Sequence, residues 1–369
     1  MTKDPWIERD VDLTPLTRRG MLRLGTTVAA LPALSALLAS CGKSSPTTEP
    51  LDHPHVSRKA VWIPQASGDW EVPIRVGQLE FCRMVNWDYQ HIGNPVYSVQ
   101  NHLDQLNDAI SARPDVIITE LESQGMVSGF QRAIDAGITM IVIDQALNEE
   151  AAKLGLGVIS QDPFALGSLN GLQAATWAEK ISGKKEGVIL IGNGNPGSAL
   201  IDTLQTATQA GVAAYNRDHG SNFITEAFAD SAFDDIATSM SKYNAHIEQK
   251  GDSLVALVGL GGASAVAIWK TLRENDIPPG KQIAAGSTDI YPDQQTGIEE
   301  GHLQWGIDQD FLVMGFLSAA SAWLQIEYGY RCWSMRTPGE LILKNDIARI
   351  RKRTDLWIRR AKELNLIAS

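Results

Sequence analysis

Cysteine is scarce: three residues in 369, too few for a disulfide scaffold or for a four-ligand zinc site of cysteines alone. No C-x-x-C, H-E-x-x-H, G-x-S-x-G or P-loop lysine motif occurs, which removes the commonest signatures of redox, metalloprotease, hydrolase and nucleotide-triphosphate chemistry. Positive charge is also short. Lys and Arg number 32 against 43 Asp and Glu, a formal net charge of −11, so the basic footprint of a nucleic-acid binder is missing. Apolar usage of 44% and charged usage of 20% are those of an ordinary globular chain and exclude disorder as the general state. Tryptophan is the exception to this thrift. Its ten residues exceed eight Phe and seven Tyr, supplying flat surfaces that suit sugar rings, aromatic ligands and cores alike.

Long hydrophobic runs are limited to one, residues 24–39 (LGTTVAALPALSALLA), interrupted by Pro32 and free of charge. It is short for a spanning helix, which needs about 20 residues. It follows the twin arginine Arg18-Arg19 and a further basic residue, Arg23, and ends in Leu38-Ala39-Ser40-Cys41. That order resembles a twin-arginine export signal closing in a bacterial lipobox, with Cys41 as the site of lipid attachment. The expectation is a signal over 1–40, a Ser, Thr and Pro-rich tether over 41–57, and a body held outside the cytoplasm at a membrane surface. His53 and His55 belong to the tether and are not read as a metal site.

From residue 60 onward short apolar runs alternate with amphipathic stretches. The period predicts strands at 60–64, 115–119, 138–143, 156–160, 187–191, 254–258 and 282–285, and weaker ones at 86–92 and 222–228. Helices are predicted at 97–112, 125–136, 163–181, 199–217, 232–249, 263–275 and 310–327. Apolar strands alternating with helices predict α/β architecture with parallel sheets covered on both faces. The repetition of the rhythm on either side of residue 160 predicts two similar lobes.

In open parallel sheets, ligands sit beyond the carboxyl ends of the strands. The residues there are polar: Gln65 to Trp70, Glu120, Asp144, Gln161 and Asp162, Asn193 and Asn195, Gly261 and Gly262, Asp289, and Asp308-Gln309-Asp310. Each alone reads as a helix cap. Together they predict a cleft suited to a polar, hydroxylated ligand.

Over residues 58–345 the chain resembles the type I periplasmic binding proteins of the ribose and simple-sugar class. The resemblance rests on segments 114–120 (PDVIITE), 133–144 (AIDAGITMIVID), 160–171 (SQDPFALGSLNG), 286–289 (GSTD) and 306–310 (GIDQD). It implies two Rossmann-like lobes joined by three hinge crossings. The first lobe would comprise 58–160 plus 310–335 and the second 161–309 plus 336–346, followed by a basic helix over 347–369. It implies ligand contacts from Trp70, Glu120, Asp144, Gln161, Phe233, Asp289 and Gln309, no cofactor, and an ABC transporter permease as partner. Two departures stand out. The family's arginine near 200–202 is replaced by Leu200-Ile201-Asp202, and its asparagine by Gly261. With that bidentate donor gone, an anionic sugar acid is disfavoured and a neutral sugar or polyol, or even a cationic solute, is favoured.

Two alternatives accompany this reading. A signal-sensing lipoprotein would use the same fold. An exported NADP-dependent oxidoreductase would use Gly192-Asn193-Gly194-Asn195-Pro196-Gly197, a G-x-G-x-x-G after a strand, although no acidic residue closes a following strand about 20 positions on. Cys82 and Cys332 are read as a disulfide or as two buried thiols. The basic tail is read as packed through Ile347, Ile350, Leu356 and Trp357, with anionic lipid as the other possible neighbour.

Overall fold

The computed structural model describes residues 56–232, 235–331 and 333–368. The export segment, Cys41, most of the tether, Phe233 and Cys332 therefore lie outside the described residues.

In the first lobe the chain runs β1 (Lys59–Ile63), α1 (Val72–Met84), β2 (Asp88–His91), α2 (Val99–Ala112), β3 (Val116–Leu121), α3 (Val127–Asp135), β4 (Thr139–Ala146), α4 (Asn148–Lys153) and β5 (Val158–Ser160). The second lobe follows with α5 (Pro163–Ser182), β6 (Glu186–Asn193), α6 (Ala199–His219), β7 (Asn222–Ala229), α7 (Ile236–Lys250), β8 (Leu254–Gly259), α8 (Gly262–Glu274), β9 (Ala284–Thr288), α9 (Pro292–Glu300) and β10 (Trp305–Asp308). The chain then returns to the first lobe with α10 (Phe311–Tyr328) and β11 (Met335–Arg336). It ends with β12 (Glu340–Ile342) in the second sheet and α11 (Ile347–Glu363).

Two six-stranded sheets result, ordered β11-β5-β4-β3-β1-β2 and β12-β10-β9-β8-β6-β7. All pairings are parallel except β10 with β12. The central strands β3 and β8 are buried along their whole length, as strands covered on both faces must be. The fold is the two-lobed α/β architecture expected, with three crossings at residues 161–162, 309–310 and 337–339. These crossings are tied together. Thr337 N donates to Ser160 O at 3.0 Å and its hydroxyl to Gln309 O at 3.2 Å.

Each lobe uses glycine to bring one pair of helices into close contact. A Cβ on Gly77 of α1 would lie 2.2 Å from Leu312 O, and one on Gly315 of α10 would lie 2.1 Å from Ile74 O. In the second lobe, a Cβ on Gly171 of α5 would lie 2.0 Å from Thr208 O, and one on Gly211 of α6 would lie 2.2 Å from Ser168 O. The backbones therefore touch where larger side chains would hold helices at about 8–10 Å. Helix α10 is long and apolar enough to cross a membrane by composition, but it buries Met314, Ser318, Ala319 and Ala322 in the first-lobe core.

The basic tail packs against both lobes. Ile347 and Ile350 enter the second-lobe core, whereas Ala361, Leu364 and Trp357 pack with Val72 and Val76 of α1 in the first lobe. Leu356, expected to pack, is exposed. Much of the basic charge is already neutralised, because Arg349 pairs with Glu340, Arg351 with Glu299, Arg353 with Asp308 and Arg360 with Glu80. Cys82 is a free thiol, and burial pushes its pKa up to about 12.

Candidate functional site

The carboxyl ends of both sheets face one cleft. Its inner cavity, about 40 Å³, is lined from the first lobe by Gln65, Trp70, Asp144 and Gln145. From the second lobe come Asn195, Leu200, Ile201, Leu260, Gly261, Asp289 and Tyr291, and from the crossing and the helix after it Gln309 and Phe311. A water needs roughly 10–15 Å³ and a drug-sized ligand site about 300–1,000 Å³, so the inner cavity by itself is small for a solute. A larger cavity of about 330 Å³ adjoins it through Asp144 and Leu200, and Asp162, Phe164 and Arg336 also line this outer space. The lobes are bridged beside the inner cavity, where the Ser198 hydroxyl donates to Gln145 Oε1 at 2.8 Å between two buried side chains.

Local backbone geometry presents the acids. Asp144 and Asp289 both adopt left-handed φ values, +56° and +72°, at positions where β4 and β9 deliver the chain to the cleft. Asp tolerates this region better than most residues, and such outliers gather at binding sites. Gln161 donates to Asp144 Oδ1 at 3.3 Å. Gln309 donates to Asp289 Oδ1, and the backbone N–H of Gly262 donates to Asp289 Oδ2 at 2.7 Å. Three aromatic side chains line the same cavity, Trp70, Tyr291 and Phe311. Trp70 sits edge-on to Phe311 with ring centroids 6.0 Å apart, and Tyr291 lies against Gly262, where a Cβ would come within 2.0 Å of the ring.

The electrostatics follow from burial among acids. Burial pushes the Asp144 pKa up to about 7, with the Asp289 charge adding to the rise and the Gln161 bond opposing it. Asp289 is raised by burial despite its bonds from Gln309 and Gly262. Glu120 lies well above the usual carboxylate range, first through burial and then through Asp144 and Glu122. Among the described residues no Lys or Arg lines the inner cavity. Four buried oxygens at the cleft or directly behind it, Gln65 Oε1, Glu120 Oε1, Gln161 Oε1 and Gln309 Oε1, have no hydrogen-bond partner. Leaving such an acceptor unpaired costs about 1–3 kcal/mol each, which a ligand's donors would recover.

The structure brings Trp70, Asp144, Asp289 and Gln309 together on the inner wall. Glu120 and Gln161 lie one layer back. Glu120 accepts from the Gln65 backbone at 3.0 Å, and Gln161 holds Asp144, so both shape the wall from behind. Gln145, Tyr291 and Phe311 escaped sequence reasoning. Each follows a strand-end polar residue by one or two positions, so extending the strand-end inspection by two residues would have found them. The glycine-rich loop carries no open phosphate cradle. The Gly197 N–H is taken by the Asp202 carboxylate at 3.1 Å, and the Asn195 N–H by Asn193 Oδ1 at 3.0 Å. An acid stands where a pyrophosphate would need donors.

Two lobes of parallel sheet, hinged by three crossings around an acceptor-rich cleft, define a solute-binding protein, and comparison with known sequences agrees. Residues 60–329 match the family described as periplasmic binding protein domain, and the chain belongs to that family. Membership places its work outside the cytoplasm. The xylose/arabinose-binding protein XylF of Sulfolobus acidocaldarius is 22% identical over 286 residues, 74% of this chain and 67% of that protein. Among solved structures, an ABC transporter solute-binding protein from Burkholderia graminis in complex with D-arabinose is 20% identical with a TM-score of 0.68. The match covers 79% of this chain and 96% of the other. A carbohydrate transporter protein from Acidothermus cellulolyticus in complex with myo-inositol is 19% identical with a TM-score of 0.68, covering 82% and 99%. These structures share the fold.

Proposed function

We propose that the protein captures a small sugar- or polyol-class solute between its lobes and delivers it to an ABC importer, held at the membrane by lipid on Cys41. The observation that carries this reading is the pair of unpartnered acceptors on the inner wall, Gln65 Oε1 and Gln309 Oε1, beside two carboxylates and an aromatic face. Hydroxyl groups donate to such acceptors, and the apolar face of a sugar ring stacks on an indole. Sugars and a cyclitol in related structures, and the sugar-binding relative, support the same ligand class. Closure draws its free energy from differential affinity: a solute bridging Asp144 on one lobe and Asp289 on the other stabilises only the closed form.

Thermal unfolding of the purified protein against sugars, polyols, nucleosides and NADP tests the proposal. A sugar or polyol at 100 times its dissociation constant should add about 2.7 kcal/mol of stability and raise the melting temperature. A shift with NADP alone would overturn the reading. The tether is tested separately, by the loss of metabolic palmitate labelling and membrane association in Cys41→Ser.

A further inference from the structure

Asp144 from the first lobe and Asp289 from the second line the same inner cavity, and the Asp289 charge raises the cost of ionising Asp144. Among the described residues neither has a cationic partner there. Their side-chain bonds come from amides and from the Tyr291 hydroxyl. Buried carboxylates are ordinarily paired with a cation, because desolvation of a lone charge is expensive. Two basic residues that line the adjoining cavities are already engaged. Arg336 lines the outer cavity and pairs with Asp162 at 3.3 Å, while Arg353 pairs with Asp308. At positions 200–202, nothing basic projects to contribute a donor.

The remaining lining repeats the imbalance. Gln65 Oε1 and Gln309 Oε1 are unpartnered oxygens on side chains more than nine-tenths buried, and both side chains line the cavity. The amide groups of Gln161 and Gln309 each give one N–H to Asp144 and Asp289. A neutral hydroxyl brings a single donor to two carboxylates and two unpartnered amide oxygens. An ammonium group has three donors and no acceptor. Trp70, Tyr291 and Phe311 supply ring faces that also attract a cation.

We infer that the natural ligand is a polyhydroxylated solute bearing a protonated amine, an amino sugar or amino polyol, whose ammonium sits between Asp144 and Asp289. This rests on the capture reading above and selects the cationic solute from the ligand classes that the sequence leaves open. It gives the missing arginine a cause, since a guanidinium in this cavity would repel the ligand.

The test is calorimetric titration of the purified protein, at pH 7.5, with matched pairs: D-glucosamine and D-glucose, D-galactosamine and D-galactose, 1-amino-1-deoxysorbitol and sorbitol. At least one amine should bind tenfold or more tightly than its parent. That preference should fall towards unity in Asp144→Asn and Asp289→Asn, whose folding is checked by thermal melts, and should weaken with added salt. A parent sugar binding as tightly as its amine would overturn the inference and leave the capture reading intact. No binding by any member of the panel, amine or neutral, would overturn both.

Discussion

Replacing Asp144 by Asn should make the unliganded protein more stable at alkaline pH while weakening its hold on ligand. Asp144 is buried, and its pKa rises from 3.8 to about 7. Because the folded-state value lies above the unfolded one, the folded protein binds the extra proton between roughly pH 4 and 7. Stability is greatest below that window and falls as pH rises through it, levelling off once the folded carboxyl is ionised. Each pKa unit is worth about 1.4 kcal/mol, so ionising this side chain costs the fold up to about 4 kcal/mol by pH 8, an upper bound that water entry would lower. Asn keeps the shape and keeps an oxygen for the Gln161 amide, but cannot ionise. The difference in stability between Asp144→Asn and wild type should therefore shrink by about 2–3 kcal/mol between pH 8 and pH 5. Denaturant unfolding of both proteins at the two pH values, without ligand, measures it. A difference that is the same at both pH values would refute the reasoning, as would a variant less stable than wild type at pH 8. A stability gain coupled to a binding loss is what a site held ready for a charged or donor-rich ligand should show.

Trp70→Ala should weaken ligand binding at least tenfold, read by calorimetry, with a small change in melting temperature because Trp70 is only partly buried. Ser198→Ala removes the bond to Gln145 across the cleft and leaves a buried acceptor unpaired in the closed form. A cost of about 1–3 kcal/mol should open the unliganded lobes, seen as a larger radius of gyration in solution scattering. Gly171→Val forces β-branched bulk against Thr208 O at the α5–α6 crossing and should destabilise the fold by more than about 3 kcal/mol in denaturant unfolding, or abolish soluble protein. Arg360→Glu sets a like charge against Glu80 and should loosen the end of α11 from α1, read as faster amide exchange at 361–366.

The long periodic elements were legible because burial on both faces writes continuous apolar runs. Strands β3, β4, β6 and β8 and helices α5 and α6 are of this kind. Elements that lean on tertiary contacts were not legible. Helix α1 carries Pro73 and Gly77 and owes its place to contact with α10, and α4 and α9 are short. Strands β11 and β12 have two and three residues, and only their pairing with β5 and β10 defines them. At the site, chemistry at strand ends was readable but depth was not. Glu120 and Gln161 carry the same signature as Asp144, yet they stand behind the wall because neighbouring backbone and side chains cover them. The tail's packing through Ile347, Ile350 and Trp357 was legible from its period, but its ion-pair partners, Glu80, Glu299, Asp308 and Glu340, were not, because they are scattered through both lobes.

The central claim is that a solute is held at the inner cavity by groups from both lobes and the crossing. Titrating the best ligand from the thermal screen into wild type and into Asp144→Ala with Gln309→Ala tests it most directly. Micromolar or tighter binding by wild type, weakened at least a hundredfold in a double variant that still melts cooperatively, is the predicted result. Unchanged affinity in that variant would contradict the account and move the site elsewhere.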